Sequence, residues 1–348
     1  MSDGTRPQTP ALAPSRTTTT AQHDASLSAV VVSQRPLYYG EGADQSADRP
    51  AHVRAASGLT WIHGQLGLVQ DDANFVAIVD PDRMHARSIA LPRGDDGLRQ
   101  FDDARGNKKH KSDFESCTTI IEGAAQTLLA FGSGSKRNRR TVLLVEGCQT
   151  SAPTVRMIAA KSLYKRLEAE RRFAGSDLNI EGAVVRDAAV CLITRGNGKA
   201  KNGDVPRNAI CRMPLDALRE YLENPENVDP PRPFGVDVFD LGELNGLPLG
   251  FTDAAVCNDS LLFSAAAEAS PDAQTDGAVS GSAIGVIDAG GRARFTPLRD
   301  PSGAPVLEKV EGLVMWPHDH MRAWAVVDAD DAQRPSLLCE VQLSGPWW

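Results

Sequence analysis

The sequence lacks long hydrophobic runs and has few aromatic residues. Only 5% of its 348 residues are Phe, Trp or Tyr. No segment approaches the roughly 18 continuous apolar residues of a membrane-spanning helix. The first residues also lack the apolar core of a secretory signal peptide. We therefore expect no membrane association and a cytoplasmic location.

Cysteines are few and scattered. The six of them lie mostly in apolar segments such as residues 190–193, and no CxxC pair occurs. Zinc sites and disulfide frameworks need clustered or paired cysteines. The pattern therefore predicts buried, reduced thiols that pack as small hydrophobic side chains.

Basic residues are in deficit, whereas turn-forming residues are abundant. The chain has 37 Lys and Arg against 45 Asp and Glu, a formal net charge of −8. A surface built to neutralise nucleic-acid phosphates needs the opposite balance, so no nucleic-acid partner is expected. The 30 glycines and 22 prolines favour a fold with many turns.

The first 26 residues contain few large apolar side chains. Thr17–Thr20 are consecutive threonines, and several prolines precede them. Such a segment cannot bury enough apolar surface to offset the entropy that is lost on ordering. We predict a disordered segment over residues 1–26 and one folded domain over residues 27–348.

A repeated pattern organises the rest of the chain. A polar residue, a small residue and a short apolar strand are followed, after a turn, by a second apolar strand. The five copies begin at Ser57, Glu115, Glu181, Asp253 and Glu311. Each interval between copies has room for two more strands, and four short strands per repeat are typical of a β-propeller blade.

The last copy has room for only three strands before the chain ends at Trp348. The apolar run Leu27–Val32 has no other partner in the repeat scheme and can supply the missing strand. We predict an all-β fold, a single closed β-propeller with five four-stranded blades, in which N- and C-terminal strands close the ring. Six blades are the alternative. Apolar residues at three-to-four spacing predict helical insertions within Leu163–Phe173 and Pro214–Glu223.

The first residues of the five copies should form a ring at one mouth of the central channel, because the innermost strand of each blade lines it. Converging carboxylates repel one another unless a cation lies between them, some are protonated, or they bond amides and basic groups. Oxygen ligands suit calcium or magnesium. The predicted metal ligands are Glu115, Glu181, Asp253 and Glu311, and the predicted catalytic residues are Glu115, Glu181 and Glu311. Alternatively, these acids only accept hydrogen bonds between blades.

Polar residues that follow the second strands should reach the same mouth. The predicted ligand-binding residues are Asp72, Lys136, Arg137, Arg195, Asn197 and Glu268, with Asp272 and Asp276 in the loop after Glu268. Cations around an acidic centre favour an anionic small molecule such as a phosphate or carboxylate. The alternative is that these are solvated loop charges.

Several motifs resemble those of an uncharacterised bacterial β-propeller family. They include Ala56-Ser-Gly-Leu-Thr-Trp61, Leu178-Asn-Ile-Glu-Gly-Ala183 and Lys309-Val-Glu-Gly-Leu313. That family is similar to esterase-like phytase domains and, more distantly, to gluconolactonase-type propellers. The resemblance implies that a first-strand Glu followed by Gly binds a divalent metal. Glu181 and Glu311 match this motif, and Ser57 departs from it.

These features favour a propeller with a polar, acidic central pocket. The leading interpretation is a divalent-metal-dependent hydrolase of a phosphoester or ester, in which the metal polarises the ester or activates water. Glu115, Glu181 or Glu311 would be a metal ligand or general base. The alternative is a non-catalytic propeller that binds a ligand or protein, because the fold serves both classes.

Overall fold

β-Strands form most of the regular structure in the computed structural model, which describes residues 17–269 and 277–348. Three strands precede the repeats: β1 (Thr18–Thr20), β2 (Gln22–His23) and β3 (Ser28–Pro36). The first repeat contains β4 (Ala56–Ile62), β5 (Gln65–Gln70), β6 (Phe75–Asp80) and β7 (His85–Ala90). The second contains β8 (Phe114–Glu122), β9 (Ala125–Gly132), β10 (Thr141–Glu146) and β11 (Thr154–Ala159), with short 3₁₀ helices at Lys108–His110 and Arg137–Arg139.

Three α-helices accompany the third repeat. The helices α1 (Lys161–Ala169) and α2 (Arg171–Ala174) precede β12 (Ile180–Arg186), β13 (Ala189–Thr194) and β14 (Asn208–Pro214), and α3 (Leu215–Glu223) precedes β15 (Gly235–Asp240). A short β16 (Glu243–Leu244) leads into β17 (Leu247–Cys257), β18 (Ser260–Glu268), β19 (Val279–Ile287) and β20 (Ala293–Arg299). The last repeat contains β21 (Val310–Trp316), β22 (Asp319–Val327) and β23 (Leu337–Ser344).

The strands within each repeat pair antiparallel in chain order. The last repeat takes β3 as its fourth strand, and β3 pairs with β23 from Ser28 opposite Ser344 to Pro36 opposite Leu337. The predicted pairing of residues 27–32 with the C-terminal repeat is therefore confirmed. Because β3 also pairs with the end of β20, the fourth and fifth repeats share one hydrogen-bonded sheet.

The repeats pack side by side around their first strands. β4 contacts β8, β8 contacts β12, β12 contacts β17, β17 contacts β21, and β21 contacts β4. Five clusters of buried apolar side chains lie between successive repeats, including one between the fifth and the first. The result is a propeller-like all-β architecture. No hydrogen-bonded sheet in residues 17–269 and 277–348 runs around the whole molecule.

The predicted disorder of residues 1–26 is wrong for the part that the structure describes. β1 pairs in parallel with β15, and β2 pairs with β20. Edge pairing uses backbone groups, so the segment needs no large apolar side chain to become ordered. The amide of Ala21 donates to the carbonyl of Asp240 at 2.7 Å, and Asp24 pairs with Arg294 at 2.8 Å. Residues 1–16 lie outside the described ranges.

The helical insertions and the free thiols follow the sequence predictions. The predicted helix at Leu163–Phe173 is divided between α1 and α2, and α3 begins directly after Pro214. All six cysteines are buried and free. In the described part of the chain, the helices are too short or too polar to cross a membrane.

Candidate functional site

A β-bulge in the first strand of four of the repeats positions a polar side chain at the centre of the molecule. The strand register shifts at Glu115 in β8, at Glu181 in β12 and at Glu311 in β21, and in β4 it shifts around Ser57. An extra residue in one strand turns a side chain out of the regular alternation. These four residues line one central cavity, as predicted for the ring.

The fourth repeat departs from the predicted ring. In β17 the register shifts between Phe251 and Asp253, so Thr252 holds the bulged position and Asp253 the one after it. In the other repeats this later position is held by Gly58, Ser116, Gly182 and Gly312. The structure therefore places Asp253 one layer away from the ring, and its side chain does not line the central cavity.

The layer that contains Asp253 is tightly packed. A Cβ atom on Gly312 would lie 2.5 Å from the Ser57 carbonyl oxygen, so the close approach of β21 and β4 requires glycine. The Asp253 side chain extends into this layer, where its Oδ2 accepts a hydrogen bond from the Leu313 amide at 2.8 Å. Asp253 is fully buried. Its carboxyl group therefore ties β17 to β21 beneath the ring.

Burial raises the pKa of Asp253 well above its usual value, and the amides of Leu313, Ala254 and Leu59 offset only part of this effect. As the pH rises above about 4, the unfolded chain loses this proton while the folded chain retains it. Rising pH therefore favours unfolding until the pH passes the pKa of the folded state. The stabilisation that the protonated Asp253 gives to the folded state is therefore complete below the pKa of the unfolded state and is lost as the pH rises through the pKa of the folded state.

An Asp253→Asn variant should not show this pH dependence, because the amide keeps the shape of the side chain and does not ionise. We expect the variant to gain stability over the wild type as the pH rises from 5 to 8, by at most about 1.4 kcal/mol per pH unit. Urea unfolding at both pH values measures this difference. The exposed Asp229→Asn variant is the control. A difference that stays constant with pH would contradict the assignment.

The central cavity is small and almost wholly polar. It offers about 50 Å³ of space. One buried water needs about 10–15 Å³, so the cavity holds a few waters or a compact ionic group. The lining residues other than Ala55 and Ala56 are Ser57, Asp71, Lys111, Asp113, Glu115, Arg139, Asn179, Glu181, Arg195, Asn197, Lys309, Glu311, Asp328 and Asp330.

One side of the cavity is an acidic cluster with two internal cations. The Lys111 ammonium contacts Asp71 and lies 2.7 Å from Asp113, which also pairs with Arg139 at 2.8 Å. Burial disfavours the Asp113 carboxylate, but Lys111 and Arg139 outweigh it and keep the pKa of Asp113 low. Burial raises the pKa of Asp71, although Lys111 opposes this. Asp113 is therefore the charged partner of this pair.

Glu115 borders the same cluster. Burial raises its pKa well above the usual value, and the nearby carboxylates of Asp71, Asp113 and Glu181 raise it further. Ser57 Oγ donates a hydrogen bond to Glu115 Oε2 at 2.9 Å, which fixes the orientation of the carboxyl group. A carboxyl group that holds its proton at higher pH is suited to general acid catalysis.

The other side of the cavity is a chain of ion pairs. Arg195 Nη2 lies 2.5 Å from Glu268 Oε2, and Arg195 Nη1 lies 3.8 Å from Glu181. Lys309 Nζ lies 2.7 Å from Glu311 Oε1. Within the described residues, the buried Glu311 Oε2 has no hydrogen-bond partner. An acceptor left unsatisfied in a polar cavity is a place for a ligand donor.

The predicted metal ligands do not form one cluster. In the described residues, one group of three carboxylates lies within 4.8 Å of one another: Asp71, Asp113 and Glu115. Glu115 is the only one of the four predicted ligands in this group. This buried triad could hold a metal ion, and its oxygen donors suit a hard cation. Lys111, however, already contacts both aspartates. A metal ion between them would have to displace its ammonium group.

The predicted ligand-binding residues are divided between different surroundings. Arg195 and Asn197 line the central cavity. Asp72 instead pairs with the buried Arg54, and Glu268 is buried against Arg195 and accepts a hydrogen bond from the Gly277 amide at 2.6 Å. Lys136 and Arg137 lie outside the cavity lining, where Arg137 begins a 3₁₀ helix. Asp272 and Asp276 lie outside the described residues.

The sequence contained a signal for several cavity residues that were not predicted. Asp113, Asn179 and Lys309 each lie two positions before a ring glutamate, and alternate residues of a strand share a face. Asp71, Asp328 and Asp330 follow second strands, the position from which polar residues were expected to reach this mouth, whereas Lys111 and Arg139 lie in the segments that precede β8 and β10. Their positions depend on how the loops return to the centre.

Comparison with protein families gives one match. Residues 52–343 match the model of a family described as "Family of unknown function (DUF6929)". No curated protein matches the sequence. The resemblance to phytase-like and gluconolactonase-like propellers is not confirmed by these findings.

Solved structures resemble the chain only at low identity and low TM-score. A mannose phosphorylase from Leishmania mexicana is 12% identical, covers 89% of this chain and 88% of its own, and has a TM-score of 0.41. The Swd1 β-propeller domain from Myceliophthora thermophila is 10% identical, and the match covers 83% of this chain and 97% of that domain with a TM-score of 0.35. A PQQ-bound aldose sugar dehydrogenase from Streptomyces coelicolor is 10% identical, and the match covers 92% of this chain and 100% of that chain with a TM-score of 0.36. Similarities at this level do not identify an activity.

Proposed function

We propose a function for this chain from its central cavity alone. The chain belongs to the family of unknown function DUF6929. The chain forms one closed propeller of five blades, and β3 completes the blade that the C-terminal strands begin. The contacts of the first strands in cyclic order support this count. So do the five apolar clusters, one between each pair of neighbouring repeats.

The central cavity is the active site of a hydrolase that acts on a small ester or phosphoester. The supporting observation is that ionisable groups line it almost completely. Burying a charge is costly unless it is paired, and groups with perturbed pKa values in a cleft are typical of catalytic sites. The pKa values of Glu115 and Asp71 are raised. Burial and the neighbouring Asp330 also raise the pKa of Asp328, to about 6.

Glu115 is the general acid and base of this site. In its protonated form it keeps the hydrogen bond from Ser57 on one carboxyl oxygen and carries the proton on the other. Glu115 donates its proton to the leaving oxygen while a water molecule attacks the carbonyl carbon or the phosphorus, so that the bond to the leaving oxygen breaks as the new C–O or P–O bond forms. The Glu115 carboxylate then takes back the proton that the attacking water releases. Glu311 binds a donor group of the substrate through its unsatisfied Oε2.

A divalent cation would enter the site only in place of Lys111. Asp71, Asp113 and Glu115 would hold calcium or magnesium if Lys111 moved away. When bound there, the cation would polarise the carbonyl or phosphoryl oxygen of the substrate. The anionic part of a phosphoester would be attracted by the cations that line the cavity, among them Arg139 and Arg195.

A panel of phosphomonoesters, carboxylic esters and lactones tests the activity. Each substrate is assayed with EDTA, Ca²⁺ or Mg²⁺, on the wild type and on the double variant Glu181→Gln, Glu311→Gln. We expect turnover of one substrate class by the wild type and a loss of about 100-fold or more in the variant, since the cavity loses two of its carboxylates. Equal rates in the two proteins, or no turnover of any substrate, would exclude the hydrolase.

A binding propeller without catalysis is the second candidate. It is favoured by the small cavity volume of about 50 Å³ and by the internal ion pairs, which already satisfy most of the charges. A compact ligand would then raise the melting temperature of the wild type without being consumed. The same panel separates the two functions, because only the hydrolase forms products.

A further inference from the structure

A second cavity lies at the opposite end of the central channel. It begins with the residues that directly follow the Asp253 layer on the five first strands: Leu59, Cys117, Ala183, Ala254 and Leu313. It widens towards solvent past Trp61, Thr119, Val185, Val256 and Trp316. Its volume is about 370 Å³. The layer that contains Asp253 and the glycines separates it from the charged cavity.

The walls of this lower cavity are mostly apolar, and their polar groups bond to one another. Thr119 Oγ1 donates to the Trp61 carbonyl at 2.7 Å and lies 3.1 Å from Thr60 Oγ1. Thr118 Oγ1 accepts a hydrogen bond from the Val185 amide at 3.3 Å. Asn258 and His320, which also line the cavity, lie 3.2 Å apart, and Trp316 Nε1 is a donor without a hydrogen-bond partner among the described residues. Most of the polar groups in the walls are therefore satisfied, and a ligand with several polar groups would lose hydrogen bonds to water there.

Two tryptophans stiffen the mouth of the cavity. Trp61 Nε1 donates to the Met315 carbonyl at 2.6 Å. Trp316 is stacked on Trp324 with ring centroids 5.3 Å apart, and the Arg322 guanidinium lies over its ring at 3.7 Å. Fixed aromatic walls of this kind bind flat apolar groups at little cost in side-chain entropy.

Apolar side chains are also exposed at this mouth. Ile121 is 65% exposed and Val256 is 37% exposed, although both belong to central strands of the fold. Exposed apolar surface around a concave site is typical of a binding site. The volume falls within the range of about 300–1,000 Å³ that small-molecule pockets occupy.

We infer that the lower cavity binds an uncharged, mainly apolar small molecule, such as a compound with an aromatic ring. A small molecule fits better than a protein face, because the cavity is concave and ends at the Asp253 layer. A peptide backbone would need hydrogen-bond partners that the walls do not supply. This site is separate from the proposed hydrolase site and does not depend on it.

The fluorescent probe N-phenyl-1-naphthylamine tests this inference, because Trp61 and Trp316 can transfer excitation energy to a probe that binds beside them. We expect saturable binding of one probe per chain, displaced by toluene and not by benzoate. A Val256→Arg variant places a charge at the mouth and should weaken binding by about tenfold or more. The control is Leu307→Arg, at a residue that is 55% exposed and lies outside the cavity.

Three results would overturn the inference. The first is probe binding that does not saturate. The second is equal affinity in the wild type and the Val256→Arg variant, or equal weakening by Leu307→Arg. The third is displacement by benzoate as readily as by toluene, which would contradict the uncharged class of ligand. Because Val256 and Leu307 are both exposed, neither substitution disturbs the core, and melting temperatures verify this.

Discussion

Replacing Arg195 by methionine is expected to lower the free energy of unfolding by about 3–5 kcal/mol, because the change removes the cation closest to two buried carboxylates. Arg195 is 3% exposed. Its guanidinium lies 2.5 Å from Glu268 and 3.8 Å from Glu181, and both acids are buried. Methionine fills a similar volume, so the loss reports the charge rather than a cavity. Urea unfolding at pH 7, followed by tryptophan fluorescence, measures it.

An exposed ion pair provides the matched control. Arg219 and Glu122 lie 2.5 Å apart, but their side chains are 41% and 50% exposed. Arg219→Met should therefore cost only about 0–1 kcal/mol. If the central effect comes from an unpaired buried charge, the double variant Arg195→Met, Glu268→Gln should recover part of the loss. Equal losses at Arg195 and Arg219, or no recovery in the double variant, would contradict this explanation.

The repeat in the sequence predicted the all-β fold and the pairing of β3 with β23, because both depend on apolar periodicity and on the number of strands in each copy. The ordering of β1 and β2 was not predictable in this way. These strands are held by backbone pairing at the edges of β15 and β20, which leaves no mark in side-chain composition.

The candidate site was predictable only in part. Ser57, Glu115, Glu181 and Glu311 line the central cavity because each occupies a bulge at the start of a first strand. At the fourth repeat, matching acidic residues selected Asp253, whereas the bulge falls on Thr252. A bulge moves the register by one residue and has no unique sequence signature. An alignment of the repeats by similar side chains therefore placed the fourth repeat one residue out of register.

The pairing of the internal cations was the least predictable part of the site. Lys111 follows one short 3₁₀ helix and Arg139 ends the other, and both enter the acidic cluster only through the folding of the loops that contain these helices. Their presence changes the chemistry of the cavity, because they neutralise carboxylates that would otherwise need a metal ion. Acidic residues at strand starts therefore do not distinguish a metal site from an ion-pair network until the loop cations are located.

Replacing Glu115 by glutamine is expected to lower kcat/KM for the substrate identified by the panel by about 100-fold or more, with little change in stability. Glutamine keeps the size of the side chain and still accepts the hydrogen bond from Ser57, but it cannot transfer a proton. The exposed Glu308→Gln variant is the control and should retain full activity.

The pH profile decides whether Glu115 transfers a proton or serves only as a metal ligand. Its pKa is raised, so the acid form persists to higher pH than for an ordinary glutamate, and the wild-type rate should fall as the pH rises through that pKa. The glutamine variant should lack this decline, and added Ca²⁺ or Mg²⁺ should not restore its rate. Restoration by metal would instead assign Glu115 to cation binding, and an unchanged profile would exclude it as the general acid.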